Sequence, residues 1–302
     1  MTDAAAASGR APEPVVTVVV PTRDRARYLG GALDSLLAQE LDGAHDVVVV
    51  DDGSGDSTPE IARRAGVRYL RHERPRGLNA ARNTALAETR AELVVFVDDD
   101  VQAPAGWLAA IVEGAERHPE AQAFGGPIEA RLDGPAPRGC GREGPPITAL
   151  DLGDRDTETE RVWGANLALR RGALELAGPF DEALPLGGDE EEWLERLRAA
   201  GGRVFYLAGA GLVHRRAGDD VRLRALMRSA YGRGRSARAH DLRRGASPPL
   251  RRELRVLAGC GWHSVRRACP QGLVMGAHAA GRVVGALRPA AGGAGAGEGT
   301  SP

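Results

Sequence analysis

Leu93-Val94-Val95-Phe96-Val97-Asp98-Asp99-Asp100 is an unbroken apolar run closed by three carboxylates. A continuous apolar run bounded by polar residues predicts a strand covered on both faces, as in a parallel sheet flanked by helices. Acids at its carboxyl end then fall where open α/β sheets bind their ligands. Like charges this close oppose one another's ionisation unless a cation or hydrogen-bond donors offset them. An all-oxygen donor set suits Mg2+ or Mn2+. A solvated acidic turn is the competing reading of this stretch taken alone.

Upstream, Val15 to Val20 is a β-branched run that stops at Pro21, and Asp46 to Val50 a second that stops at Asp51. Between them, Ala26 to Ala38 places Leu29, Leu33, Leu36 and Leu37 at helical spacing. Helices are also predicted over Ser57 to Ala65, with Pro59 in the first turn, and over Leu78 to Thr89, with a strand at Val67 to Leu70. Alternation of strand and helix predicts a mostly parallel sheet flanked by helices. Downstream, helices are expected at Pro104 to Arg117, Gly172 to Ala177 and Asp189 to Ala200. Strand-like stretches occur at Arg161 to Leu169, Arg203 to Leu207 and Gly211 to His214, and Arg131 to Pro146 reads as a loop or boundary. Beyond Val221 the pattern predicts helices broken near Gly232 to Gly234 and at Pro248-Pro249.

The 302 residues carry a formal charge of −1, yet Val221 to the end holds fifteen Arg against Asp241, Glu253 and Glu298. That asymmetry points the tail at something anionic. Scarce aromatics argue against nucleic acid; clustered Arg contributes roughly 1 kcal/mol per residue at an anionic membrane surface. Cys140, Cys260 and Cys269 are odd in number and lack CxxC spacing, so neither a disulfide framework nor a zinc site is expected. No secretory leader is recognised in Met1 to Pro14 and no apolar run reaches about 18 residues, so the expected location is cytoplasmic, with the basic tail able to touch the inner face of a membrane. Pro21-Thr22-Arg23-Asp24-Arg25 ends the first strand without GxGxxG, and GxxxxGK[ST] is absent. Dinucleotide oxidoreductases and P-loop enzymes are therefore disfavoured. Asp51 to Ala62 fails as a calcium loop, lacking Gly at its sixth position and an acid at its twelfth.

Val-Val-Val-Pro-Thr-Arg-Asp-Arg, Val-Val-Val-Val-Asp-Asp-Gly-Ser, Gly77-Leu-Asn-Ala-Ala-Arg-Asn83 and Phe-Val-Asp-Asp-Asp, in that order, resemble the motifs of the family 2 glycosyltransferases. Trp163-Gly-Ala-Asn-Leu-Ala-Leu-Arg-Arg171 and Gly188-Asp-Glu-Glu-Glu-Trp-Leu-Glu-Arg196 resemble that family's acceptor-side motifs. The resemblance covers Val15 to His214. It implies a GT-A fold, a nucleoside-diphosphate sugar donor, a hydroxyl acceptor, a hexosyltransferase-type activity that inverts the anomeric centre, and Mn2+ or Mg2+.

Carried over by position, the resemblance implies that Pro21, Thr22 and Arg23 pack beside the nucleobase and that Asp51, with Asp52 next to it, recognises it. Gly77 and Arg82 would run beside base and diphosphate. Asp98 and Asp99 would take the ribose and phosphate side of the DxD-type motif, with Asp100 as metal ligand and His214 completing the metal's shell. Asn166 would reach donor sugar or phosphate, and Trp163 and Glu192 would face the acceptor. An inverting transfer needs a carboxylate to take the acceptor hydroxyl's proton. The family places it second in a Gly-Glu-Asp pattern; here the order is Asp-Glu, so Glu190 is the first candidate and Asp189 the alternative.

The expected organisation is a tail over 1–14, a GT-A domain over 15–220, a basic helical extension over 221–289 and a tail over 290–302. Within the domain, 15–104 is the nucleotide-binding half and 105–220 the acceptor half. The acceptor could be a glycan, a lipid-linked group or a small molecule. Two rivals remain: a catalytically degenerate nucleotide-sugar-binding protein, and a sugar nucleotidyltransferase, which would need a glycine-rich loop after the first strand.

Overall fold

The computed structural model describes residues 14–141, 146–184 and 189–287. The tails expected over 1–14 and 290–302 lie outside these residues, Pro14 apart, as does Gly188 of the last motif. The chain divides into two compact units: one built from 1–129, 149–184 and 193–214, the other from 130–148, 185–192 and 215–302. The segment read from sequence as a loop after residue 130 therefore groups with the tail helices.

The chain opens with β1 (Val16–Thr22), α1 (Ala26–Leu37), β2 (His45–Asp51), α2 (Thr58–Ala65), β3 (Arg68–Arg71), α3 (Leu78–Glu88) and β4 (Leu93–Val97). There follow β5 (Val101–Gln102), α4 (Trp107–Arg117), β6 (Ala123–Gly125), β7 (Ile128–Asp133), β8 (Thr157–Glu158), β9 (Asn166–Arg170), α5 (Ala173–Ala177), α6 (Asp189–Ala199), β10 (Val204–Tyr206) and β11 (Leu212–Ala217). The main sheet runs β3-β2-β1-β4-β9-β6-β10-β8. β1 pairs in parallel with both β2 and β4, whereas β9 lies antiparallel between β4 and β6.

All five residues of β4 are buried, as an apolar run covered on two faces requires. Alternation along the strands divides the core. Val16, Val18, Val20, Val95 and Val97 face Leu29, Leu33 and Leu36 of α1 and Trp107, Leu108 and Ile111 of α4. Val19, Val48, Val94 and Phe96 face Ala81 and Ala85 of α3 and Trp193, Leu194 and Leu197 of α6. Leu37, at helical spacing in the sequence and the last residue of α1, is exposed.

The second unit holds α7 (Leu223–Arg243), α8 (Leu250–Arg266) and α9 (Pro270–Leu287). The expected break at Gly232 to Gly234 does not occur, since α7 runs through it; the break expected at the proline pair does. Gly234 and Gly281 allow close approach between α7 and α9. A Cβ on Gly234 would sit 2.0 Å from the His278 carbonyl oxygen, and one on Gly281 2.2 Å from that of Tyr231. Leu226, Ala230, Val274 and Ile147 form this unit's apolar core. Buried Glu253 accepts from Arg282 at 2.7 and 2.9 Å, and Arg282 also reaches Asp241 at 2.6 Å. Among the described residues no helix is long and apolar enough to cross a membrane.

Candidate active site

After β1 the chain proceeds outward through β2 and β3, then returns to place β4 on the other side of β1. This reversal opens a crevice at the carboxyl ends of β1 and β4, where α/β sheets hold ligands. Thr22 ends β1 and Asp98, Asp99 and Asp100 follow β4, so pairing of the two strands brings the two ends together. The Thr22 hydroxyl donates to Asp99 Oδ2 at 2.7 Å. Arg25 donates from Nε to Asp99 Oδ1 at 3.0 Å and pairs through Nη2 with Asp100.

His214 reaches this crevice through the small sheet β5-β11-β7. β11 pairs antiparallel with β5, setting His214 opposite Val101, directly after the acids. His214 Nε2 lies 3.0 Å from Asp100 Oδ1 and 3.9 Å from Asp98 Oδ2. Ligand atoms of Asp98, Asp100 and His214 all lie within 4.8 Å of one another. Two carboxylates and one imidazole make a hard, oxygen-rich donor set that fits Mn2+ or Mg2+.

Electrostatics follow from burial. Desolvation pushes the Asp99 carboxyl up to about 6; Arg25 and the Thr22 hydroxyl oppose the rise, and Asp100 and Asp98 add to it. Burial works to lower the Arg25 guanidinium, but Asp99 and Asp100 hold it above its ordinary value. Arg25 was not among the residues singled out from sequence. Its signal there is only position, three residues past Thr22, since whether an exposed-looking Arg turns toward an acid cluster depends on the loop.

That loop is built by side chains of its neighbours. Asp24 takes φ 53, a left-handed conformation that aspartate tolerates. Its N–H donates to Ser54 Oγ at 2.9 Å and its Oδ1 accepts the Gly55 N–H at 2.8 Å. Gly53, at φ 77, meets the Pro75 backbone nitrogen at 3.0 Å from where a Cβ would be, so only glycine fits this turn. Arg23 stays exposed, 3.5 Å from Asp24.

Asp51 is fully buried at the end of β2. Its Oδ1 accepts the Ser54 N–H at 2.8 Å and its Oδ2 the Tyr69 hydroxyl at 2.5 Å. Burial and this bond push the Tyr69 hydroxyl up to about 12. Asp52 has a different task. Its carboxylate accepts the N–H groups of Arg76 at 2.7 Å and Gly77 at 2.9 Å and contacts His72 Nδ1 at 2.7 Å. Burial would raise its pKa, but these partners together hold it below the ordinary carboxylate value. Asp52 thereby fixes the 73–77 loop at the start of α3, where Gly77 adopts φ 103.

Three residues singled out from the sequence, Arg82 and Asn166 for the donor and Trp163 for the acceptor, make contacts within the protein. Arg82 is buried, its Nη1 donating to Asn79 Oδ1 at 3.1 Å and its guanidinium lying 5.1 Å from the Phe180 ring centre and 5.9 Å from that of Phe96. Asn166, at the start of β9, accepts from Trp107 Nε1 at 3.3 Å and donates to the Ala210 carbonyl at 2.8 Å. Trp163 is half-buried against the α1 and α4 side of the core. Arg82 lies within α3, Asn166 opens β9 and Trp163 precedes that strand, and each packs against neighbouring elements of the protein. α6 begins at Asp189, and Glu190 and Glu192 are half-buried on its first turn, within the second unit.

A mixed sheet with its crevice at the switch point, an acid-rich turn on the central strand and an imidazole brought in by a short side sheet defines the GT-A class of fold. The mannosyltransferase PcManGT from Pyrobaculum calidifontis, solved in complex with GDP-Man and Mn2+, matches with a TM-score of 0.57 at 21% identity, over 90% of this chain and 70% of that one. Residues 1–349 of S. aureus TarS in complex with UDP-GlcNAc match with a TM-score of 0.53 at 19% identity, over 72% and 65%. The model of Glycosyl transferase family 2 matches residues 17–176, more than half the chain, and the chain belongs to that family. Among curated relatives, the pre-mycofactocin glycosyltransferase of Mycobacterium tuberculosis is 31% identical over 208 residues, 66% of this chain and 42% of that protein. Glycosyltransferase AglE of Haloferax volcanii is 27% identical over 199 residues, 62% of each. The chain thus spans about two fifths of the length of the first of these relatives.

Proposed function

We propose that this protein transfers a sugar from a nucleoside-diphosphate donor to a hydroxyl acceptor, with inversion and with a divalent cation held by Asp98, Asp100 and His214. The observation carrying this reading is the meeting of those three groups within 4.8 Å at the switch point of the sheet. A Mn2+ or Mg2+ ion there supplies positive charge to the diphosphate leaving group. The protein's own residues do the rest. Asp51, whose two oxygens accept from Ser54 and Tyr69, is the acid this reading assigns to the base or ribose. Arg25 and Thr22 hold Asp99 in place beside Asp100. Glu190, or Asp189 beside it, takes the acceptor hydroxyl's proton. Relatives' complexes with GDP-Man and UDP-GlcNAc support a nucleotide-sugar donor, and the complex with Mn2+ supports the ion.

The test is a thermal-shift panel of UDP-, GDP- and dTDP-sugars with and without Mn2+, followed by donor hydrolysis. One donor should stabilise the protein only with metal, and D100N and H214A should abolish that gain. Glu190→Gln or Asp189→Asn should remove turnover while donor binding survives. Metal-dependent donor binding by the wild type without turnover would favour the degenerate binding protein; no metal-dependent donor binding would overturn the reading.

We further propose that the second unit touches an anionic membrane surface. Leu254, Trp262 and Val265 lie at helical spacing on α8 and are exposed, Trp262 by 67% and Val265 by 81%. Exposed Arg251, Arg255 and Arg266 share the helix, and an apolar stripe flanked by arginines is the pattern of an interfacial helix. Co-sedimentation with phosphatidylglycerol vesicles but not phosphatidylcholine vesicles, lost in Trp262→Glu, is the expected result.

A further inference from the structure

The sequence held no zinc pattern, yet the second unit assembles one. Cys140 follows β7, His263 lies in the last turn of α8, and Cys269 comes just after that helix. The ligand atoms of Cys140, His263 and Cys269 all lie within 4.8 Å of one another. Cys140 Sγ stands 3.5 Å from His263 Nε2, and Cys269 Sγ lies 4.0 Å from the Arg138 carbonyl on the loop that carries Cys140. None of the three cysteines is in a disulfide.

Local structure explains how Cys269 gets there. α8 ends with the Ala268 N–H donating to Val265 O at 3.3 Å and the Cys269 N–H donating to Ser264 O at 3.0 Å. These paired bonds close a helix end whose turning residue is left-handed, a place normally filled by glycine. Here it is Ala268, at φ 47. The closure folds the chain back so that the second residue beyond the cap lies over the last turn, where a hydrophobic pair ordinarily forms. In this protein that pair is Cys269 and His263. A left-handed alanine persists only where its surroundings over-determine it, and such outliers gather at sites.

We propose that Cys140, His263 and Cys269 bind Zn2+. Thiolates and imidazole are the donors zinc prefers, and they contrast with the oxygen-rich set at Asp98 and Asp100, which suits Mg2+ or Mn2+. The Cys140–His263 distance of 3.5 Å agrees with such a site. A tetrahedral zinc with bonds of about 2.3 Å to sulfur and about 2.0 Å to nitrogen has sulfur–nitrogen edges of about 3.5 Å and sulfur–sulfur edges of about 3.8 Å. The three protein ligands leave one position for water or a small ligand, reachable from solvent because Cys140 is exposed. The ion ties the loop after β7 to the corner between α8 and α9, both within the second unit.

Full-length protein purified with reductant and without chelator should carry about one equivalent of zinc per chain, falling to near zero in Cys140→Ser and Cys269→Ser. Cys140 is exposed, so its serine variant should fold. Cys260→Ser, elsewhere on α8, should keep the zinc. Replacement by Co2+ should give thiolate-to-cobalt charge-transfer absorption and the intense d–d bands of a tetrahedral site, unchanged in Asp100→Asn. That last arm separates this site from the carboxylate site, whose failure would leave the cobalt spectrum intact. Zinc content equal in wild type and Cys140→Ser, a cobalt spectrum without charge transfer, or a Cys140–Cys269 disulfide as the only species under reductant would each overturn the proposal.

Discussion

Replacing Asp52 with asparagine probes whether the 73–77 loop is held by one carboxylate. Asparagine keeps the shape but exchanges one acceptor oxygen for an NH2 group. In one orientation that group faces the Gly77 N–H, now accepted at 2.9 Å, and in the other it faces the Arg76 N–H, now accepted at 2.7 Å. His72 can adapt by changing tautomer, because its Nε2 lies 2.9 Å from the Thr84 hydroxyl, which can donate or accept. A backbone donor cannot adapt. Hydrogen bonds to charged groups contribute about 1.5–3 kcal/mol, and an unsatisfied buried donor costs about 1–3 kcal/mol. The expected loss in Asp52→Asn is therefore about 3 kcal/mol at neutral pH. The sign of its pH dependence follows from the depressed carboxyl of the folded protein. Stability gained from a depressed carboxyl is complete above the unfolded value, about 3.9, and is lost as pH falls through the lower folded value. The gap between wild type and variant should therefore narrow on acidification. Urea unfolding read by tryptophan fluorescence across a pH series measures it, since Trp107 and Trp193 are buried in the same unit. Amide exchange at Arg76 and Gly77 should accelerate in parallel. A variant within about 0.5 kcal/mol of wild type at pH 7, or a gap that stays constant into acid, would refute the reasoning.

Three further outcomes are expected. On α7, Gly232 has open space around a Cβ and Gly234 does not, so Gly232→Ala should stabilise by about 1 kcal/mol through helix propensity. Gly234→Ala should instead destabilise by about 1–3 kcal/mol through overpacking; thermal melts that move both variants the same way would contradict the close approach of α7 and α9. Arg25→Ala leaves Asp99 and Asp100 without that counter-ion, which should cost about 3 kcal/mol, and Mn2+ should raise the variant's melting temperature by more than it raises the wild type's. Tyr69→Phe removes a donor from buried Asp51 and should cost about 1–3 kcal/mol. It should also erase the tyrosine titration step pushed up to about 12, read by ultraviolet difference absorption.

The β-α-β order from Val15 to Val97 could be read in the chain because strand and helix there are set by local patterns. Valine runs alternate between two faces, and the leucines of α1 recur at helical spacing. Later elements were harder. β6 is only three residues long and ends in Gly125, and Gly126 and Pro127 separate it from β7. Gly125 and Gly126 there meet Val162 at 2.5 Å and the Ala210 carbonyl at 2.2 Å from where a Cβ would be, which is packing and not a turn. The same confusion put a break in α7 at Gly232 to Gly234. A glycine chosen for contact and a glycine chosen for flexibility look alike until the neighbour is known.

The sequence by itself determined the central strand, the acids that close it and the order of the motifs, because these depend on residues adjacent in the chain. Only the tertiary structure decided which groups meet. His214 joins Asp100 through antiparallel pairing with β5, and Arg25 turns to the same acids through a loop stitched to Ser54. Asp52, Arg82 and Asn166 are engaged by the protein itself. Cys140 finds His263 across 123 positions, with no spacing to announce it. Contacts of that kind arise from strand register and helix packing, in which every side chain is placed by residues distant in sequence, and no local pattern records them.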